Sequence, residues 1–284
     1  MTSKFALITG GSRGLGAVLV RRFWLDGYDL GVVSRNEADI HQVLNNLPQR
    51  GNQTAISLAC DLGQPAEVAG LIERVKSSIP KLNVLLNNAA IQGPIGTLES
   101  NDLAEWQRAV QVNLLAPVAL CQGLIPALAA DGGGAIINLS GGGATGPRAN
   151  FSAYATAKAG LVRFSETLAE ELKPKGIRVN SIAPGAMKTA MLGEVLAKGA
   201  AAGDREMSVA NKVFEVGGAS MDRVADLALF LASGASSGIT GKLISAVWDN
   251  WDNWPQHLDE LSTSDAYTLR RITGRDRGMT WGDK

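Results

Sequence analysis

Phe5-Ala-Leu-Ile-Thr-Gly-Gly-Ser-Arg-Gly-Leu-Gly16 is the stretch whose reading decides the fold. Its apolar start reads as a short strand, and Leu15 to Trp24 beyond it reads as a helix. Between them Gly10, Gly14 and Gly16 form a Gly-x-x-x-Gly-x-Gly turn. Glycine is required where such a turn is tight, where backbone approaches a pyrophosphate, and where helix packs close on strand. The helix N-terminus then presents free N–H groups and a positive dipole end to an anion. A glycine-rich turn is weak alone; strand before and helix after make it specific.

Working outward, apolar strands are predicted at Phe5–Ile8, Leu30–Val33, Ala55–Ala59, Val84–Leu86, Ala135–Leu139, Arg178–Ile182 and near Leu243–Val247. Helical patterns separate them. This alternation, with strands buried on both faces, predicts an α/β fold, a Rossmann-type doubly wound parallel sheet of about seven strands. One domain is expected over residues 1–247, with a C-terminal extension over 248–284.

Composition narrows the function. The 284 residues are 45% hydrophobic and 19% charged, with zero formal net charge, so no general attraction to nucleic acid or membrane is expected. No apolar run reads as long enough to span a bilayer. The first strand begins by Phe5, leaving no room for a signal peptide, and a cytoplasmic location is expected. Cys60 and Cys121 are too few for a disulfide framework. His41 and His257 are isolated and no cluster has metal-ligand spacing, so no metal is expected and any chemistry runs without histidine.

Ser152-Ala-Tyr-Ala-Thr-Ala-Lys-Ala-Gly160 supplies that chemistry. Tyr154 and Lys158, four apart on a helix, share one face. A phenol titrates near 10, and a neighbouring ammonium is expected to lower it, giving a proton donor or acceptor for a carbonyl or secondary alcohol. Ala157, Leu161, Phe164, Leu168 and Leu172 extend the helix to the Lys173-Pro-Lys-Gly stop.

Together these residues resemble the short-chain dehydrogenase/reductase family over roughly residues 4 to 247. Asp61-Leu62, Asn87-Asn-Ala-Ala90, Asn113, Ser140 and Pro184-Gly-Ala-Met-Lys-Thr189 follow in the family's order. The resemblance implies four catalytic residues: Ser140 polarises the carbonyl, Tyr154 donates the proton, Lys158 bonds the nicotinamide ribose, and Asn113 holds a water linking Lys158 to solvent. It also implies that Asp61 and Leu62 lie at the adenine, Asn88, Ala89 and Ala90 along the ribose, and Pro184, Gly185, Met187 and Thr189 by the carboxamide. The turn residues Gly10, Ser12, Arg13, Gly14, Leu15 and Gly16 complete the cofactor set with Ser34 and Arg35. The second strand ends Val33-Ser34-Arg35 with no acid for a ribose 2′-hydroxyl, so NADP(H) is expected over NAD(H), with Arg13 and Arg35 on the 2′-phosphate.

Three departures from the family stand out. Its serine most often lies thirteen residues before the tyrosine, which is Gly141 here; Ser140 lies fourteen before. Ala90 replaces a glycine. The chain also continues through Trp248, Trp251, Trp254 and Trp281, with Arg270, Arg271, Arg275 and Arg277. This tail docks on a neighbouring subunit, walls the substrate pocket or packs on its own domain, and its arginines have Asp265, Asp276 and Asp283 within pairing range. Residues 190–220 are expected to form a mobile substrate-binding loop, with little to fix Lys198–Asp204, and Met187, Met191 and Leu192 available to line a pocket. The family also implies a homodimer or homotetramer through the helix bearing Tyr154. The resulting expectation is an NADPH-dependent carbonyl reductase or secondary-alcohol dehydrogenase acting on a small-molecule ketone or alcohol. The alternative is a catalytically inactive NADP-binding scaffold or redox sensor, favoured only by the displaced serine.

Overall fold

A computed structural model describes residues 4–49, 51–79 and 81–281. Asp283 lies outside the described residues. β1 (Lys4–Thr9) turns into α1 (Gly14–Leu25), followed by β2 (Tyr28–Ser34), α2 (Glu37–Asn45), β3 (Ala55–Ala59), α3 (Pro65–Ser78) and β4 (Val84–Asn87). Next come α4 (Leu103–Val110), a π-turn at Gln111–Leu115, α5 (Ala116–Ala129), β5 (Ala135–Leu139) and α6 (Ser152–Leu172). β6 (Arg178–Ala183), α7 (Ala190–Lys198), α8 (Asp204–Val216), α9 (Met221–Ala232) and β7 (Leu243–Ser245) complete the fold, and α10 (Leu258–Thr263) lies in the tail.

The seven strands form one parallel sheet, as the sequence predicts, and their order is β3-β2-β1-β4-β5-β6-β7. Strand side chains alternate between two cores. Ala6 and Ile8 pack with residues of α1, α2 and α9, whereas Leu7, Leu85 and Ile136 pack with residues of α3, α5 and α6. Strand order reverses between β1 and β4, which opens a crevice beyond the strands' C-terminal ends.

A buried polar chain fixes α6 over the sheet. The Asn87 amide donates to Asn138 at 2.8 Å, the Asn138 amide donates to Ser165 at 2.7 Å, and Ser165 donates to the Leu161 carbonyl at 2.7 Å. These polar groups are almost wholly excluded from water, where an unpaired donor is costly, so the chain favours one register of α6.

The structure changes three expectations. The helical run Leu103–Ala129 is long and apolar enough to cross a membrane by composition, contrary to the sequence reading. It is apolar because Leu120, Cys121, Leu124 and Leu128 pack into the core. Lys198–Asp204 is held rather than loose: it makes a short 3₁₀ turn with Ala202 buried between α7 and α8. The small residues there suit close packing as well as freedom. The four tail tryptophans also divide. Trp251 and Trp254 are buried in the α1/α9 core, with Trp251 stacked on Phe230 at 5.7 Å, while Trp248 and Trp281 are 85% and 84% exposed. The tail then returns along the β7 edge, where Leu243 N–H donates to the Tyr267 carbonyl at 2.8 Å. Arg270 pairs with Asp265, and Asp276 accepts from Thr273.

Trp251→Ala should therefore lower unfolding stability by about 3–5 kcal/mol in urea titrations, whereas Trp281→Ala should change it by less than about 0.5 kcal/mol. Equal effects would contradict this division of the tail.

Candidate active site

The glycine turn is built as the sequence requires. Gly10 adopts φ +66°, and a β-carbon on Gly16 would stand 1.8 Å from the Gly10 carbonyl oxygen, so no side chain fits there. Thr9 and Asn88 lock the turn to β4. The Thr9 hydroxyl accepts from Asn88 and Ala89 N–H groups at 3.0 and 3.1 Å, and the Asn88 amide donates to the Thr9 and Gly10 carbonyls at 2.9 and 3.1 Å. No side chain caps the α1 N-terminus and no acid lies in its first turn. Leu15 is buried beneath that turn, exposed Gly14 faces the Thr189 methyl, and Thr189 itself caps α7.

At the end of β2, Ser34 and Ser12 hydroxyls are 2.8 Å apart, and Arg13 and Arg35 are both exposed. Among the described residues neither guanidinium is held in an ion pair, and Glu37 lies beside His41 instead. Asp61 is differently placed: Arg108 donates to it at 2.9 Å and Gly63 N–H at 2.9 Å. Burial would raise the Asp61 carboxyl, but these bonds and the charges of Arg108 and Arg35 outweigh it and hold the group low. Leu62 is buried beside it in the sheet core. An uncapped helix N-terminus, a glycine cradle and two free guanidinium groups fit a phosphorylated dinucleotide. Ala90 and Met187 are partly buried, Pro184 is buried and Gly185 exposed along the same rim.

Lys158 and Tyr154 sit on the core side of α6, 1% and 7% exposed. The Lys158 ammonium donates to the Leu139 carbonyl at 2.7 Å and lies 5.7 Å from the Tyr154 ring centre. Burial brings Lys158 down to about 8 from the usual 10.5. Burial also raises the Tyr154 phenol, and Arg148 is the charge that lowers it. The lowering expected from Lys158 is thus not what this geometry gives, because low dielectric penalises charge on both groups.

Asn113 stands in the π-turn, fully buried, its amide accepting from Ile91 N–H at 2.9 Å and donating to the Ile91 carbonyl at 2.8 Å. Its side chain is thus committed to the loop after β4; a π-turn shifts the backbone hydrogen-bond register here, as is frequent at functional sites.

Ser140 follows β5, 3% exposed, and its hydroxyl has no protein partner. Gly141, at the thirteen-residue spacing, lies against the tyrosine: a β-carbon there would stand 2.4 Å from the Tyr154 hydroxyl. Two further residues escaped the sequence reading. Gln92, 4% exposed, has an unpartnered amide nitrogen. Arg148 stacks 3.8 Å over Phe151 and bonds Glu206 of α8. Neither belongs to a motif, though both lie within a few residues of one.

The comparisons with known proteins identify the family. Residues 4–199 match the model of the short chain dehydrogenase family. A short-chain type dehydrogenase/reductase of Sinorhizobium fredii is 32% identical, the match covering 86% of this chain and 96% of that protein. Among solved structures, the NADPH-dependent reductase YwfH superposes with a TM-score of 0.76 at 26% identity, covering 86% of this chain and 97% of its own. The 3-ketoacyl-(acyl-carrier-protein) reductase of Brucella melitensis, complexed with NADH, superposes at 0.71 with 28% identity, covering 85% and 96%. The chain belongs to the short-chain dehydrogenase/reductase family and is an NAD(P)-dependent oxidoreductase.

Because the folded Lys158 titrates below its usual value, the unfolded chain binds the extra proton between pH 8 and 10.5. Stability contributed at this site therefore rises with pH across that window. Wild type should gain on the order of 3 kcal/mol over it relative to Lys158→Met. Denaturant titrations at several pH values check this, and a pH-independent difference would contradict it.

Proposed function

We propose that the protein is an NADPH-dependent carbonyl reductase, reversible as a secondary-alcohol dehydrogenase, acting on a small-molecule ketone or alcohol. The juxtaposition of buried Tyr154, buried Lys158 and the partnerless Ser140 hydroxyl carries the reading. Tyr154, kept protonated by its surroundings, gives its proton to the carbonyl oxygen during reduction and takes one back in oxidation. Lys158, poised near neutral pH, resupplies that proton and would bond the nicotinamide ribose. Ser140 donates a hydrogen bond to the substrate oxygen, the partner its hydroxyl lacks within the protein. Hydride transfer is the chemistry that the nicotinamide supplies when bound.

Gly10 to Gly16 would cradle the pyrophosphate, Asp61 and Leu62 the adenine, Asn88 to Ala90 the ribose, and Pro184 to Thr189 the carboxamide. The preference for NADPH rests on Arg13 and Arg35, since one structural neighbour is NADPH-dependent and another was solved with NADH. A homodimer or homotetramer is proposed through α6 and α5, and a cytoplasmic location goes with this reading.

The reading predicts that Tyr154→Phe binds NADPH as wild type does but reduces an accepted probe, such as cyclohexanone or a 3-ketoacyl thioester, ~10²–10⁴-fold more slowly. Stopped assays across such a panel measure it. Ser140→Ala should also lose activity on the same probe. Undiminished turnover in Tyr154→Phe overturns the mechanism, and undiminished turnover in Ser140→Ala moves the polarising donor elsewhere.

A further inference from the structure

Arg148 occupies an unusual position for a loop arginine. It lies between β5 and α6, six residues before Tyr154, with its side chain 14% exposed. Its guanidinium carbon sits 3.8 Å over the Phe151 ring and 5.5 Å from the Tyr154 ring centre. Both Nε and Nη2 donate to one carboxylate oxygen of Glu206, at 3.0 and 2.7 Å. Glu206 is 19% exposed and belongs to the first turn of α8. An ion pair this withdrawn from water is screened far less than a surface pair.

The pair joins two parts of the molecule that share an apolar cluster. Phe151 and Tyr154 are buried with Ile95, Val195, Ala202 and Ala210, and α7 adds Met191 and Leu192 at its edge. The α7–α8 segment therefore covers the catalytic tyrosine, and Arg148–Glu206 is the charged tie in that cover. Lys158 on its own helix lies 5.7 Å from the Tyr154 ring centre and Arg148 from the preceding loop 5.5 Å, with Glu206 of α8 bonded to Arg148. The rest of the cluster is apolar. Lys158 is engaged with the Leu139 carbonyl, which leaves Arg148 as the cation whose place depends on the cover.

We propose that Arg148 is a positioning residue that couples closure of the α7–α8 segment to the acidity of Tyr154. With the segment shut, Glu206 holds the guanidinium over Phe151 and beside the phenol. With it open, the guanidinium loses its carboxylate partner and turns to water, and the phenol loses the cover that buries it. Arg148 thereby offsets, in the closed molecule, the burial that the same cover imposes on the phenol. The proposal rests on Tyr154 as proton donor, but its test needs no turnover.

Tyrosinate absorbance at 295 nm, followed upward from pH 7 until the phenol has ionised, isolates Tyr154 when each protein is compared with its own Tyr154→Phe counterpart. Arg148→Met should raise the Tyr154 midpoint by roughly one unit, and Arg148→Lys should recover part of that shift. Glu206→Gln should raise it too, because the guanidinium is released, and should speed hydrogen exchange across residues 190–216 severalfold. Cofactor-free circular dichroism confirms that each variant is folded; one that is not is replaced by Arg148→Gln or Glu206→Ala. A lower midpoint in Glu206→Gln shows that Arg148 stays on Phe151 without the carboxylate and overturns the coupling. A midpoint unmoved by Arg148→Met overturns the positioning role itself. Either failure would leave the Tyr154→Phe turnover test standing.

Discussion

The Lys158 ammonium donating to the Leu139 carbonyl at 2.7 Å ties the catalytic helix to the sheet. An ammonium inside a protein is tolerated only when bonded, so the end of β5 dictates where this turn of α6 lies. The Asn87–Asn138–Ser165 chain repeats the constraint two helical turns further on. With α6 pinned at both places, the Tyr154 hydroxyl comes to rest against Gly141, where no side chain fits, and Ser140 is left with an unspent hydroxyl. A site assembled from β4, β5 and α6 thus depends on buried polar contacts between elements far apart in the chain.

Those contacts also set the electrostatics. Burial disfavours the charged form of each group, so the phenol moves up and the ammonium moves down to about 8. The apolar walls come from Phe151 and the α7–α8 segment, which also bring in the ion pair that tempers the phenol. Shape and charge at this site come from the same residues.

Much of this is legible in the sequence because it is local. The strand–glycine–helix start, the two-sided apolar strands and the four-residue spacing of Tyr154 and Lys158 are each fixed within a dozen residues. The sequence reading failed where the answer is long-range. It names Lys158, which lies 5.7 Å from the Tyr154 ring centre, but misses Arg148, which lies 5.5 Å away and is bonded to Glu206, 58 residues further on. It took Lys198–Asp204 to be loose because small residues are equally suited to close packing, which is how Ala202 is used. The Trp-x-x-Trp-x-x-Trp run gave no sign that Trp251 and Trp254 turn inward while Trp248 turns out, since a 3₁₀ segment decides it. The apolarity of Leu103–Ala129 is masked in the sequence because Glu105, Gln107, Arg108, Gln111 and Asn113 interrupt its first half.

The proposed preference for NADPH rests on two exposed guanidinium groups, Arg13 before α1 and Arg35 after β2. Nicotinamide fluorescence titrations of wild type and Arg35→Asp with NADPH and with NADH test it most directly. Wild type should bind NADPH more tightly by at least about tenfold, or ~1.4 kcal/mol, with the preference lost in Arg35→Asp. Tighter binding of NADH by wild type would contradict the account.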